Sequence, residues 1–316
     1  MKLVQYWAKG DLRLGADIGA DAIVDLQKAS RALAKQEGKK AGLVLPDNMM
    51  ALLEGGAKAM ARAKAAVRFA KKLKKDGGKA AWLLNAKRTR LGPPVDEPRK
   101  IICIGQNYID HVKEQNAEMP TCPIMFVKFA TCVIGDGDAV IKPRKWAKNV
   151  DFEVELAVVI GKKAKNVAKK DAYKYVAGYT VVNDISARDI QFSDKQWSRG
   201  KSADTFCPMG PCLTTRDEIP DPQKLKLSLT LNGEVMQDSS TKNLIFKVPY
   251  LIEFLSKSIT LLPGDIISTG TPPGVGIFRK PPVLLKDGDR MEACVEKIGV
   301  ISNPVKDAVV PKKKKR

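Results

Sequence analysis

The sequence predicts an α+β, strand-rich protein, with a small N-terminal α+β domain ahead of a larger domain built on a closed or rolled sheet. Three observations carry this. Asp151–Gly161, DFEVELAVVIG, alternates acidic and apolar residues and then turns wholly apolar, as a strand entering a core does. From Lys100 to about Val305, short β-prone runs are punctuated by Gly and Pro. Longer helical periodicity is concentrated in the first hundred residues. The boundaries expected are 1–97 for the small domain, 98–306 for the main domain and 307–316 for a basic tail.

In chain order, Lys2–Trp7 and Ala22–Leu26 are β-like, with Gly10, Gly15 and Gly19 expected in turns between them. Asp25–Gln36 has amphipathic helical spacing, and a second Ala- and Lys-rich helical stretch runs from Pro46–Asp47 to about Lys75, interrupted at Gly55–Gly56. Ala80–Asn85 is a β-like return, and Leu91–Pro98 reads as the linker. Ile101–Ile104 is a strand, Ile109–Asn116 a short helix, and Pro120–Val127 and Val133–Ile141 turn-bounded strands. A strand at Tyr179–Val182 ends at Asn183–Asp184. Leu225–Asn232 alternates as a half-buried strand into the Asn232-Gly233 hairpin signal. Pro249–Lys257 is an amphipathic helix, and Leu261–Gly276 is an apolar strand opening into a Gly/Pro loop.

Composition bounds the function. The 316 residues are 44% hydrophobic, enough for a sizeable core. No run of roughly 18 apolar residues occurs, so no transmembrane helix is expected. The opening residues lack the apolar stretch of a signal peptide and the Ser/Arg richness of a transit peptide, and the expected setting is intracellular, cytoplasmic or mitochondrial. The six cysteines show no CxxC pair and are expected as reduced thiols. Lys and Arg outnumber Asp and Glu by 55 to 35, a net charge of +20. Such a charge suits nucleic acid, an acidic membrane or small dianionic substrates. The lysines are scattered, with no aromatic platform among them, so a nucleic-acid-binding protein is the competing class; it predicts steep loss of affinity with salt. The ending PKKKKR is similar to a nuclear localisation signal, or is simply a solvated tail.

Chemistry concentrates in the main domain. Period-two alternation puts Asp151, Glu153 and Glu155 on one strand face, and buried carboxylates need a cation. With Asp184 at a strand end and no Cys or His cluster, a hard ion such as Mg²⁺, Mn²⁺ or Ca²⁺ fits better than Zn²⁺; an acidic, half-solvated strand has the same pattern. His111, the sole histidine, has Glu114 three positions on, so one helical face carries both, as in a general base or a surface pair. Arg188 and Gln191 follow Asp184 at i+4 and i+7, where an arginine suits a substrate carboxylate or a local ion pair. Lys201 follows a glycine and is placed to reach an anion. The Gly270–Gly274 loop, with Thr271, offers N–H groups and a hydroxyl to an oxyanion, unless it is a plain turn.

The segments CIGQNYIDHVKEQN, VDFEVELAVVIGKK, NDISARD, GKSADTFCPMGP, NGEVMQ, PGDIISTGTPPGVGIFRKPP and LKDGD, in that order, resemble the fumarylacetoacetate hydrolase superfamily from about Lys100 to Val305. The resemblance implies the family's mixed β-roll, with 98–306 as the catalytic domain. It implies metal ligands at Glu153, Glu155 and Asp184, a His111–Glu114 dyad on a mobile segment, and an active-site lysine at Lys201. Substrate contacts fall on Arg188, Gln191 and Thr271, and a homodimer is expected. The implied activity is a divalent-metal-dependent one on 2-oxo or 2,4-dioxo acids through a metal-bound enolate. Oxaloacetate keto–enol tautomerisation comes first; acylpyruvate-type C–C hydrolysis and oxaloacetate decarboxylation share the intermediate. The missing apolar run and the scattered lysines lead us to expect neither a membrane nor a nucleic-acid partner.

Overall fold

The computed structural model describes residues 1–38, 44–143 and 145–309, so residues 310–316 of the expected basic tail lie outside the described residues. Its main sheet runs in the order Leu83–Asn85, Ala22–Asp25, Asp11–Gly19, Lys2–Ala8, Cys207–Thr215, Val176–Asn183, Val154–Ile160, Ile266–Ser268, Ile101–Gly105, Ile124–Lys128. Leu91–Gly92 and Val133–Ile134 branch from it. The two ends do not pair, so the sheet is not a closed barrel. It is mixed: Ile266–Ser268 is parallel to Ile101–Gly105, whereas Val154–Ile160 is antiparallel to both its neighbours. Lys2–Ala8 pairs with Cys207–Thr215, so the first residues extend the sheet of the later ones.

A second sheet, ordered Glu234–Ser240, Lys226–Leu231, Arg290–Val295, Gly299–Asp307, Val140–Lys142, packs across the centre of the first. Every residue of Val154–Ile160 is therefore buried, which is why that run is apolar on both faces apart from Glu155. The Asn232-Gly233 hairpin turns with both residues at positive φ, as its sequence predicts. Asp25 caps the Leu26–Gln36 helix by accepting the Lys28 N–H at 2.9 Å, and Asn48 caps Met49–Glu54 through Ala51 N–H at 2.8 Å. Among the described residues no helix is long and apolar enough to cross a membrane. All six cysteines are free thiols, four of them buried.

Two expectations are corrected. Asp11–Gly19 is a strand: Gly10 turns before it and Gly19 ends it, both at positive φ, but Gly15 is not in a turn. Gly15 lies inside it because a Cβ there would meet Ile23 Cγ2 and the Val24 carbonyl at 3.1 Å and the Tyr6 ring at 3.2 Å. The acidic strand is also broken at Phe152–Glu153. There side chains replace ladder partners: Phe152 N–H donates to Asp151 Oδ1, Glu153 N–H to Asn183 Oδ1 and Val154 N–H to Gln237 Oε1, at 2.8–2.9 Å. The break removes Asp151 from the face its neighbours share.

Candidate active site

Glu155 projects from the central strand Val154–Ile160, Glu153 precedes that strand, and Asp184 follows the adjacent strand Val176–Asn183. The pairing of Val154 with Asn183 brings the strand ends together, and Asp184 N–H donates to the Glu153 carbonyl at 2.8 Å. Each of the three acids offers an oxygen within 4.8 Å of the others, and all three are buried. They form the one such cluster among the described residues.

Three buried cations face them. Lys201 Nζ donates to Glu153 Oε2 at 2.7 Å and Asp184 Oδ2 at 2.8 Å. Lys128 Nζ donates to Asp184 Oδ1 at 2.7 Å and also to the Lys201 carbonyl. Arg188 Nη2 lies 2.6 Å from Glu153 Oε1 and 2.8 Å from Asp151 Oδ2. Burial alone would push the Glu153 carboxyl up, but Lys201 and Arg188 outweigh it and hold it at about 2. Burial disfavours the Lys128 ammonium too, and Asp184 reverses that and raises it.

Glu155 is the exception. It accepts from Ser268 Oγ at 2.5 Å and from Gly270 N–H at 2.9 Å, and neither donor carries charge. Burial first, then Asp184 and Glu153, push it up to about 8. Four carboxylates, with Asp151, thus face three cations, and the deficit falls on Glu155. An all-carboxylate cluster short of positive charge fits a hard divalent cation.

The Ile109–Glu114 helix leaves the Ile101–Gly105 strand by a turn in which Gln106 takes positive φ. Asn107 anchors it: its amide donates to the Phe246 and Thr269 carbonyls at 3.0 and 2.7 Å and accepts Phe246 N–H at 2.7 Å. The i, i+3 spacing acts as expected, since His111 Nδ1 and Glu114 Oε2 are 2.8 Å apart. The second carboxylate oxygen accepts Gly274 N–H at 2.8 Å, and Gln115 Nε2 lies 2.6 Å from His111 Nε2. With Gln115 donating, Nε2 holds the lone pair and Nδ1 the proton. Phe278 packs edge-on against the imidazole at 6.1 Å. His111, Glu153, Glu155, Arg188, Gln191, Lys201 and Thr271 all line one cavity, with Phe126 and Trp197 among its apolar walls. Glu114 stands behind His111 and does not line it.

Other positions carry more ties than sequence could show. Arg188 spends Nε and Nη2 on Asp151 and Glu153, and Nη1 donates to Gln191 Oε1 at 3.0 Å. Thr271 Oγ1 donates to the Val154 carbonyl at 3.0 Å and accepts from Gln237 Nε2 at 2.8 Å. The loop N–H groups expected for an incoming oxyanion serve the protein's own acids instead: Gly270 N–H goes to Glu155, Gly274 to Glu114, Gly276 and Ile277 to Asp151. Buried carboxylates demand donors, and this loop is where they find them. Asp151, expected beside the metal ligands, is the clasp between that loop and Arg188. Lys128, Ser268, Gln237, Asn107 and Gln115 escaped sequence reasoning; each is an ordinary residue in an ordinary run, and only long-range pairing brings the first four to the site.

A sequence model of the fumarylacetoacetate (FAA) hydrolase C-terminal family matches residues 100–306. The chain belongs to this family. It is similar to rat "oxaloacetate tautomerase Fahd2a, mitochondrial" (Rattus norvegicus), with 44% identity over 96% of this chain and 91% of that one. It is also similar to human "oxaloacetate tautomerase FAHD2A, mitochondrial" (Homo sapiens), with 52% identity over 67% of this chain and 68% of that one. Among solved structures, the fumarylacetoacetate hydrolase of Exiguobacterium antarcticum superposes with a TM-score of 0.80 at 31% identity, covering 98% of this chain and all of that one.

Proposed function

We propose that this protein is a divalent-metal-dependent oxaloacetate keto–enol tautomerase, acting as a homodimer in mitochondria. The observation that carries the catalytic reading is the shared cavity: an imidazole oriented by Glu114 lines it together with Glu153 and Glu155, and the buried Asp184 completes the cluster within 4.8 Å of both acids. The substrate and the compartment rest on the similarity to relatives bearing that activity and location in their names.

Glu153, Glu155 and Asp184 would hold the ion, Mg²⁺ first, with Mn²⁺ and Ca²⁺ as hard substitutes. When bound, such an ion supplies Lewis-acid stabilisation of negative charge developing on a 2-oxo acid. His111 Nε2 takes the proton from C3 of the keto form and hands it to the 2-oxygen to complete the enol, and the reverse direction runs the same two transfers backwards. Glu114, bonded at Nδ1, keeps the reactive nitrogen unprotonated at rest and steadies the imidazolium that forms. Lys201 places a positive charge beside the developing anion. Arg188, through Nη1 with Gln191, orients a substrate carboxylate, as does Thr271 once its hydroxyl proton turns from the Val154 carbonyl.

The test follows the ultraviolet absorbance of enol-oxaloacetate with Mg²⁺, with EDTA and with His111→Ala, while pyruvate is assayed. Enol loss that needs metal and His111 and yields no pyruvate supports the proposal. Stoichiometric pyruvate makes the enzyme a decarboxylase. No metal-dependent change overturns the tautomerase.

A further inference from the structure

Two glutamines share the cavity of His111. Gln106 and Gln115 are both half-buried, and both line it. Gln106 Nε2 donates to Gln115 Oε1 at 3.1 Å, and Gln115 Nε2 lies 2.6 Å from His111 Nε2. The planar carboxamide of Gln115 is thus held at both ends, its oxygen by Gln106 and its nitrogen by the imidazole.

The backbone at Gln106 is a second, separate observation. Its φ of 52° lies in the left-handed region, which glycine adopts freely and a longer side chain adopts under strain. That strain sits where the Ile101–Gly105 strand turns towards the Ile109–Glu114 helix, on the wall of the cavity. Among the described residues, the Gln106 side chain makes one hydrogen bond, the one to Gln115. It ties down no backbone, so the turn itself has no need of a glutamine.

We propose that Gln106 recognises the C4 carboxylate of the substrate, which takes the place of the Gln115 carboxamide. This deepens the tautomerase reading and rests on it. A base at Nε2 has to come within about 3 Å of the proton-bearing C3. Whatever C3 carries therefore lies beside Nε2, in the space that the Gln115 amide fills. Carboxamide and carboxylate are both planar and similar in size. Once the amide swings out, a carboxylate oxygen accepts the Gln106 Nε2–H where Gln115 Oε1 did, and the bond becomes charge-assisted. The same exchange frees the His111 lone pair, so a substrate with the right end unmasks the base. Arg188 and Lys201 stand against Glu153, at the end of the cavity where the C1 carboxylate and the 2-oxygen would sit. That leaves the amide pair for C4.

The test is calorimetric titration of the full-length, metal-loaded protein with malate and with oxalate. Malate carries a C4 carboxylate, and oxalate ends at the two carbons nearest the acids. Gln106→Gly removes the side chain and relieves the left-handed backbone, so its melting temperature is expected not to fall. It is expected to weaken malate about tenfold and to leave oxalate within about twofold; with oxaloacetate, KM rises about tenfold while kcat changes little. Gln115→Ala removes the placeholder and is expected to act in the opposite sense, tightening malate by about fivefold with oxalate unchanged. The proposal is overturned by malate affinity unchanged in Gln106→Gly, by equal weakening of malate and oxalate, or by weaker malate in Gln115→Ala. Wild-type protein that binds no oxalate with metal present overturns the metal site and this subsite together; oxalate bound, with malate indifferent to Gln106, overturns this subsite alone.

Discussion

Gln115 Nε2 lies 2.6 Å from His111 Nε2, so the lone pair assigned to proton transfer is already engaged by a neighbour one helical turn on. Under the tautomerase reading that bond has to break in every turnover. Gln115→Ala is expected to raise kcat/KM by about fivefold, the equivalent of about 1 kcal/mol for one hydrogen bond. His111→Ala is expected to lose 10²–10⁴-fold. Steady-state assay of enol loss checks both. A fall in Gln115→Ala comparable to that in His111→Ala would mean that the glutamine assists the base.

The Glu155 carboxyl, pushed up to about 8 by burial and by Asp184 and Glu153, predicts a proton-coupled metal site. A divalent cation must displace that proton, so affinity for Mg²⁺ rises with pH and levels off above about 8. The metal-free fold behaves oppositely. Glu155 binds its proton more tightly folded than unfolded, so its contribution to stability is complete below the ordinary glutamate range and is lost as pH rises through about 8. Glu153, held at about 2, contributes stability above the ordinary range and loses it as pH falls through about 2. Thermal melts of the EDTA-treated protein between pH 5 and 9 are expected to decline with pH, and added Mg²⁺ to flatten the decline.

Lys128→Met is expected to destabilise the protein by about 3–5 kcal/mol, because it strands the Asp184 carboxylate without one of its buried cations. Urea denaturation measures this directly. A cost below about 1 kcal/mol would show that Lys201 alone neutralises Asp184.

Gly276→Ala is expected to cost about 3 kcal/mol and to lower activity with it. A Cβ at Gly276 would overlap the Val283 carbonyl oxygen and sit 2.7 Å from Asp151 Oδ1, the atom its own N–H holds. The loop would retreat, loosening the clasp on Arg188. Comparing the urea midpoint with kcat/KM separates a loss of fold from a loss of alignment.

What could be read in advance was short-range. The His111–Glu114 contact follows from helical spacing, the burial of Glu153 and Glu155 from strand alternation, and the tight turn at Asn232-Gly233 from its dipeptide. Long-range pairing hid the rest. Nothing near Lys128 announces that Asp184 lies against it. The alternation that groups Asp151 with Glu153 is intact in sequence, yet Gln237 and Asn183 break the strand between them by taking the backbone N–H groups. Gly15 disguised the Asp11–Gly19 strand, because the close approach of Ile23 and Tyr6 to it exists only once that sheet has formed.

The pairing of Leu3 with Leu213 sets an order of events during synthesis. Leu91–Gly92 covers the edge of the opening strand at Gln5 and Tyr6, but its Lys2–Leu3 end stays open until the Cys207–Thr215 segment has emerged. The hairpin made with Asp11–Gly19 can form early, but the central sheet assembles only after the Ile266–Ser268 strand has emerged. In the interval, chaperones have an unzipped β edge to shield.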